Sequence, residues 1–357
     1  MSSTQLLSRH VIKTVGLAML GSALLLLLLQ LLFGYIAELG ELKEGYTAFN
    51  ALMFTLWQSP SFLYEILPIA GLTGAVIGLG SLASNSELIT MRSVGISLWR
   101  IVAWVLRPAL LLVFASFALS QWVMPYSNDQ AKLIQKQAGK SKKIGEVYGY
   151  WMREDNRYIY VDYANSLGQL KQVDIIDLDN QYHITQTTSA QTGEYDANKQ
   201  WHLKGVQQSQ ILANGSAKAV QQSDLTMDLA LQPRFVQIVT VAPEDLAPSQ
   251  LINYMRYLSE TSQVPKPYLL AFWQKLASPF ALISLVVIAC SFVFGPLRQQ
   301  SMGFRIVIAL FIGLGFRYLQ DFLSYASLVY SPSPAWFVLL PIVMGFAIGA
   351  YLLNRAK

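Results

Sequence analysis

Cysteine is nearly absent from this 357-residue sequence: Cys290 stands alone, inside an apolar run. That excludes a disulfide framework and a CxxC redox or zinc site. Histidine is almost as scarce, and His10, His183 and His202 are too scattered to suggest a zinc site. HExxH, GxSxG and paired carboxylates in a convincing context are missing, so hydrolytic chemistry has no residues to rest on. Gly139-Lys140-Ser141 imitates the end of a phosphate loop, but the glycine required five residues earlier is Ile134. Charge is scarce as well. Charged residues make up 13% of the chain, against about a quarter in soluble proteins. What is plentiful is apolar surface, with 53% hydrophobic residues, and that composition points to a membrane rather than to two soluble domains.

Six apolar runs approach or exceed the roughly 20 residues that cross a bilayer. They are Val15–Ile36, "VGLAMLGSALLLLLLQLLFGYI", then Phe62–Leu82, Ile101–Met124, Leu269–Phe294, Ile306–Val329 and Ala335–Leu353. The first is too long for a signal-peptide core, and no clear small-x-small site follows it. The fifth is interrupted by Arg317 and Asp321. The net charge of +5 gains meaning from its placement rather than from affinity for nucleic acid. Arg9, Lys13, Arg92, Arg100, Arg107, Arg298, Arg305, Arg355 and Lys357 flank one side of the runs. The opposite short loops hold only Lys43, beside Glu38, Glu41 and Glu44. The basic side faces the cytoplasm, so both termini are expected there and the long polar interval outside.

That interval, from about Glu146 to Val241, switches to period-two alternation rich in β-branched and aromatic residues. "RYIYVDYA", "KQVDIIDLD" and "QWHLKGVQQSQIL" read as strands, separated by turn signals such as "NSLG" and "DANK". Several short strands at this spacing predict a sandwich or jelly roll. Its unpaired edges could accept a strand from another chain. A helix, "SQLINYMRYLSETS", leads into the fourth run. The fold expected is an α+β membrane protein. Residues 1–128 carry three transmembrane helices and a cytoplasmic helix at 84–97, 129–243 a β-jelly-roll domain, and 244–357 a connecting helix and three more spans.

Four polar or glycine features stand out. "SNSELITMRSVGI" (Ser84–Ile96) contains Ser84-x-x-Glu87, a capping-box spacing, with Leu88, Met91 and Gly95 at helical intervals on one face. Glu87 can cap its own helix, dock into a cytoplasmic partner, or do both. Gly74 and Gly78 form a GxxxG in the second run and serve close helix packing. Arg317 is costly at mid-bilayer; it either pairs with Asp321 one turn on or faces a cavity and an anionic headgroup. Glu65 and Lys275 are expected near membrane faces, with side chains that snorkel outward.

With this layout in view, "GLGSLASNSE" with "SELITMRSVG" (Ser86–Gly95) and "FGPLRQQSMGFR" (Phe294–Arg305) resemble the LptF/LptG family of lipopolysaccharide-export permeases. The resemblance covers nearly the whole chain, and the last motif is closer to the LptG branch. It implies an LptF partner subunit, an LptB ATPase dimer, an associated LptC and, indirectly, periplasmic LptA. The substrate would be lipopolysaccharide, with no cofactor in this chain and with ATP and Mg in the partner ATPase. It places the protein in the bacterial inner membrane with the β domain in the periplasm. It also makes Glu87 the acid of the helix that enters a groove of the ATPase, and Leu88, Met91 and Arg92 on the same helix are expected to couple with it. The family's first and fifth spans line gates for lipid, so Leu32, Ile36, Lys43, Phe316 and Arg317 are the expected lipid contacts.

The sequence departs from familiar members at "YIAELGELKEGY", which is acidic where they are basic, and at Ser61, where a lysine would stand. That puts a shared phosphate clamp in doubt and leaves Arg317 and Lys43, or the partner subunit, to take over part of the role. Two other classes share the layout. An exporter or scaffold for lipoprotein or another lipid would purify with that lipid bound. A membrane enzyme acting on envelope glycan or lipid would need a polar cluster near the outer face, where the sequence offers only the Arg317/Asp321 pair.

Overall fold

Apolar runs decide where the helices lie, and for the second of them a local cap decides where it begins. The computed structural model describes residues 3–43, 45–137, 146–154, 156–165, 167–196, 200–211, 216–229, 233, 242–261, 266–295, 300–330 and 333–355. Helix α1 spans Ser3–Leu39 and α2 Ala48–Ser84, each of 37 residues. At 1.5 Å per residue each is about 55 Å long, well beyond the ~30 Å hydrocarbon core, so their ends project from it. The second run was expected to start at Phe62, after Pro60. The helix instead begins at Ala48, where Thr47 Oγ1 accepts from the Asn50 backbone N–H at 3.3 Å. Pro60 and Pro68 lie inside it without ending it. The Ser127 hydroxyl donates to the Trp57 carbonyl near the first of these prolines, the kind of substitute bond that lets a membrane helix tolerate proline.

A short helix α3, Glu87–Ser93, follows. Helix α4, Leu98–Ala118, continues through a π-helical turn, Leu119–Val123, into α5, Met124–Gln137. Beyond the sheet come α6, Pro248–Thr261, α7, Lys266–Phe294, α8, Met302–Tyr330, and α9, Ala335–Arg355. Among the described residues six helical rods (α1, α2, α4 with α5, α7, α8 and α9) are long and apolar enough to cross a membrane. Arg317 and Asp321 do not break α8.

The GxxxG is the seam between α1 and α2. A Cβ on Gly74 would run into the Met19 backbone, and one on Gly78 would lie 2.7 Å from Val15 Cα. Only glycine permits this approach. Beside the seam the Thr73 hydroxyl donates to the Ile69 carbonyl at 2.9 Å, so in the buried Ser22–Thr73 hydroxyl pair Ser22 is the donor. Helices α2 and α7 form the centre, with 72% and 67% of their most apolar stretches buried, against 22% for α1 and 17% for α8. These two outer helices therefore turn apolar side chains such as Leu24, Leu28, Leu32, Phe311 and Phe322 outward.

The other compact unit, Lys136–Leu246 with Gln250–Pro265, contains a six-stranded antiparallel sheet inserted between the third and fourth spans. Its strands are β1 Glu146–Glu154, β2 Arg157–Asn165, β3 Gln169–Leu178, β4 Ile184–Tyr195, β5 Trp201–Ile211 and β6 Ala217–Met227. They pair in sequence order as a meander. Simple alternation does not hold along them. Gly149, Asp162, Gln172, Gln191 and Gly205 stand in one row across five strands, between ladder pairs such as Tyr150↔Val161 and Tyr148↔Tyr163. Three of the five have positive φ: Gly149 at 63°, Gln172 at 48° and Gly205 at 66°. At this row the buried set changes parity, from Val161 to Ala164, Leu170 to Val173 and Leu203 to Val206. These out-of-phase residues, aligned across the sheet, keep the register and let both halves of β2, β3 and β5 turn apolar residues to the core.

Gly74→Ala is expected to lower stability by about 1–3 kcal/mol, because α1 must shift to admit the methyl group. Gly21→Ala, with nothing within 4 Å of the added carbon, should leave thermal unfolding in detergent unchanged or raise it.

Candidate functional site

The polar residues singled out in the sequence gather at two places in the helical unit. The first is α3 and its surroundings. Ser84 does not cap α3: it is the last residue of α2, and its hydroxyl donates back to the Ser81 carbonyl at 2.9 Å. Only Asn85 and Ser86 separate the two helices, too few for an extended capping residue, and Ser84 finds a carbonyl of its own last turn instead. Ser86 makes the corner with a φ of 62°, and its carbonyl accepts from both the Thr90 N–H and the Thr90 hydroxyl at 3.1 Å. The short helix is thus seven residues, narrower than the expected 84–97.

At the other end Gly95, with φ 88°, does not share a face with Leu88 and Met91. It is the left-handed terminator of α3: its N–H donates to the Arg92 carbonyl and that of Ile96 to the Met91 carbonyl.

A seven-residue helix has no stability of its own and is held by packing. Leu88 and Met91, at 5% and 2% exposure, bury themselves in the main hydrophobic core of the helical unit. Ile89, Arg92 and Val94 face outward. Of the four expected coupling residues, therefore, two anchor the helix and Arg92 faces outward. The Glu87 carboxylate accepts from His10 Nε2 at 2.8 Å, a partner 77 positions away that sequence spacing could not reveal. A groove of about 440 Å³ lies beside the helix, lined by Ala83, Leu88, Ile89, Arg92, Ser93, Val293 and Phe294.

The glycine-containing stretch that leads into the first motif meets the second motif here. A Cβ on Gly80 would lie 2.8 Å from Met302 Sδ, and Arg305, buried at 6%, directs Nη1 to the Gly80 carbonyl at 3.5 Å. Arg298, Lys357 and the rejected phosphate-loop residues Gly139, Lys140 and Ser141 lie outside the described residues.

The second place is a polar layer among α2, α7 and α8. Arg317 Nε donates to Asp321 Oδ2 at 3.2 Å, the expected pairing, and its Nη2 and Nη1 reach Glu65 Oε2 and the Glu65 carbonyl at 3.1 Å. Glu65 is therefore an interhelical partner of Arg317 rather than a residue snorkelling to the interface. Lys275 does not snorkel either: its Nζ is shielded and sits 5.9 Å from the centroid of the Tyr64 ring, adjacent in sequence to Glu65. Two cations and two carboxylates balance one another formally across three helices, which is how such groups are tolerated in lipid.

The remaining expected lipid contacts are spread out. Leu32 and Ile36, one turn apart on α1, are 54% and 55% exposed. Lys43 is exposed in the turn after α1, where the Tyr46 N–H donates to its carbonyl at 2.9 Å. Phe316 packs against the core, 3.5 Å from where a Cβ on Gly345 of α9 would stand. In the same turn the buried Tyr46 hydroxyl donates to Glu38 Oε2 at 2.9 Å. Burial, and then Glu38, push this phenol above its usual pKa, so it stays a donor throughout the physiological range. Ser61, in the place of an expected lysine, donates to Asn128 Oδ1 at 2.8 Å.

A family profile described as "Lipopolysaccharide export system permease LptF/LptG" matches residues 8–355. The chain belongs to this family. It is 29% identical over 352 residues to the lipopolysaccharide export system permease protein LptG of Escherichia coli strain K12, covering 98% of both chains. It is 27% identical over 354 residues to LptG of Haemophilus influenzae, covering 98% of this chain and 99% of the relative. The LptF/LptG match includes both motifs that converge on Gly80 and α3, and the whole sheet domain between the spans.

Leu88→Ala or Met91→Ala should loosen α3 by about 2–5 kcal/mol. Ile89→Ala, on the outward side, should change stability by less than about 0.5 kcal/mol. Hydrogen exchange of the α3 amides distinguishes the two.

Proposed function

We propose that this chain is a permease subunit of a lipopolysaccharide exporter in the bacterial inner membrane. It has both termini in the cytoplasm and its sheet domain in the periplasm, and it pairs with an LptF-type subunit. In this reading it is a transport subunit rather than an enzyme. It binds no nucleotide itself and receives the work of ATP hydrolysis from an LptB-type dimer that holds ATP and Mg. An LptC-type subunit and, further out, LptA receive the lipid. The observation that carries the reading is α3: a helix too short to stand alone, anchored by Leu88 and Met91. It offers Ile89, Arg92 and Val94 beside a groove on the side that charge asymmetry assigns to the cytoplasm.

Lipid enters laterally past the two least buried helices, α1 and α8, whose outward apolar side chains suit acyl chains. Leu32 and Ile36 meet those chains, and Lys43 and Arg317 meet phosphates, with Phe316 supporting the Arg317 segment from behind. Arg317 exchanges its carboxylate partners for phosphate when lipid arrives. The ATPase transmits work only if it binds the two states of the cavity unequally, so α3 adopts a different position in each.

Purification from native membranes in mild detergent, with mass spectrometry of what remains bound, tests the reading. An ATPase and a second six-span subunit are expected to co-purify, and Glu87→Lys should release the ATPase. Recovery of the chain alone, in detergents that preserve such complexes, would move a membrane enzyme to the front. For the lipid contacts, Arg317→Ala should reduce lipid-stimulated ATPase activity and lipid binding. If both stay at the wild-type level, Arg317 has no part in recognition.

A further inference from the structure

The acid of the "SEL" motif is held by the first span. Glu87 is the first residue of α3, and its Oε2 accepts from His10 Nε2 at 2.8 Å. An ionised carboxylate can only accept, so the imidazole donates through its Nε2–H in either charge state. The contact is not isolated. Leu7, one turn before Val11 on α1, joins Asn85, Glu87, Thr90, Met91 and Val94 around a cavity of about 190 Å³. A polar bond and a shared cavity thus link the end of α1 to the short helix. Past this region α1 is fixed along one face by Val11, Val15 and Met19, while Leu24, Leu28, Leu32 and Ile36 on its far half face outward.

We propose that His10 is a positioning residue that fixes the Glu87 carboxylate on α3 and passes displacement of that helix to α1. This rests on the reading of α3 as the ATPase contact and adds the route by which its movement reaches the outward-facing half of the first span. One carboxylate oxygen is bonded within the chain, which leaves the other for a cationic group of the partner. Glu87 thereby joins the ATPase and α1 through one side chain. Cutting the His10 bond leaves docking in place and weakens transmission.

The test uses the full complex with its partner ATPase in lipid nanodiscs, comparing basal and lipopolysaccharide-stimulated ATP hydrolysis. His10→Ala is expected to keep the ATPase bound and the basal rate and melting temperature unchanged, while stimulation falls about two- to fivefold, the range that loss of one solvent-exposed side-chain bond supports. His10→Gln, whose amide N–H can reach the same carboxylate, should restore it. In a double-mutant cycle with Glu87→Gln, the loss should be less than additive. Unchanged stimulation in His10→Ala would overturn the proposal, and so would a loss of stimulation matched by loss of assembly or melting temperature that His10→Gln does not rescue. If Glu87→Lys fails to release the ATPase, the docking reading is what falls, an outcome separable from any effect of His10.

Discussion

The backbone approach of α1 to α2 at Gly74 and Gly78 sets the position of almost everything in the helical unit. Because Met19 lies on Gly74 and Val15 on Gly78, the two helices run antiparallel in a fixed register, four residues on one matching four on the other. Carried one step further, the same register brings Val11 level with Leu82, and a second step brings Leu7 level with Ser86. That is where α2 ends and α3 begins, and it is why the first span can reach Glu87 at all. The Ser22–Thr73 hydroxyl bond reinforces the seam where water cannot compete for either group. In lipid, where apolar side chains gain nothing by leaving the solvent, such close packing and polar contacts carry helix association.

From that seam the unit divides into a still centre and a less covered periphery. Helices α2 and α7 are buried on most sides, and Ser284 of α7 donates to the Ile342 carbonyl where α9 crosses it at Gly345. Helices α1 and α8 keep most of their apolar surface outward. The polar layer of Glu65, Arg317, Asp321 and Lys275 ties α8 to the centre through charge rather than through packing alone. Bonds of this kind, partly open to the surroundings, can be exchanged for a charged ligand more readily than a buried apolar seam can be separated.

Around α3 the same economy of parts recurs. Gly80 admits Met302 and Arg305, the left-handed Ser86 turns the chain without a linker, and Gly95 ends α3 after two turns. Three local features, each a few residues long, place a short helix against the core with one side outward. The sheet domain likewise relies on local backbone departures, in its aligned row of out-of-phase residues.

The sequence by itself determined the number of spans, the insertion of a β domain between the third and fourth, and the packing role of the GxxxG. Each follows from properties that a short window carries: apolar length, period-two alternation and the absence of a side chain. It also showed that Arg317 can pair with Asp321, because four residues on one helix are always neighbours. It misread Ser84 and Gly95, since a capping motif looks the same whether the serine opens one helix or closes another. Strict alternation likewise hid the kink row, because Gln172 and Gln191 carry no mark of an irregular backbone. Only the tertiary structure decided that Glu65 meets Arg317, that Lys275 lies over Tyr64, that Leu88 and Met91 face inward, and that His10 holds Glu87. These pairs lie far apart along the chain. The register of one helix on another that brings them together is set by contacts summed over many turns, which no local pattern encodes.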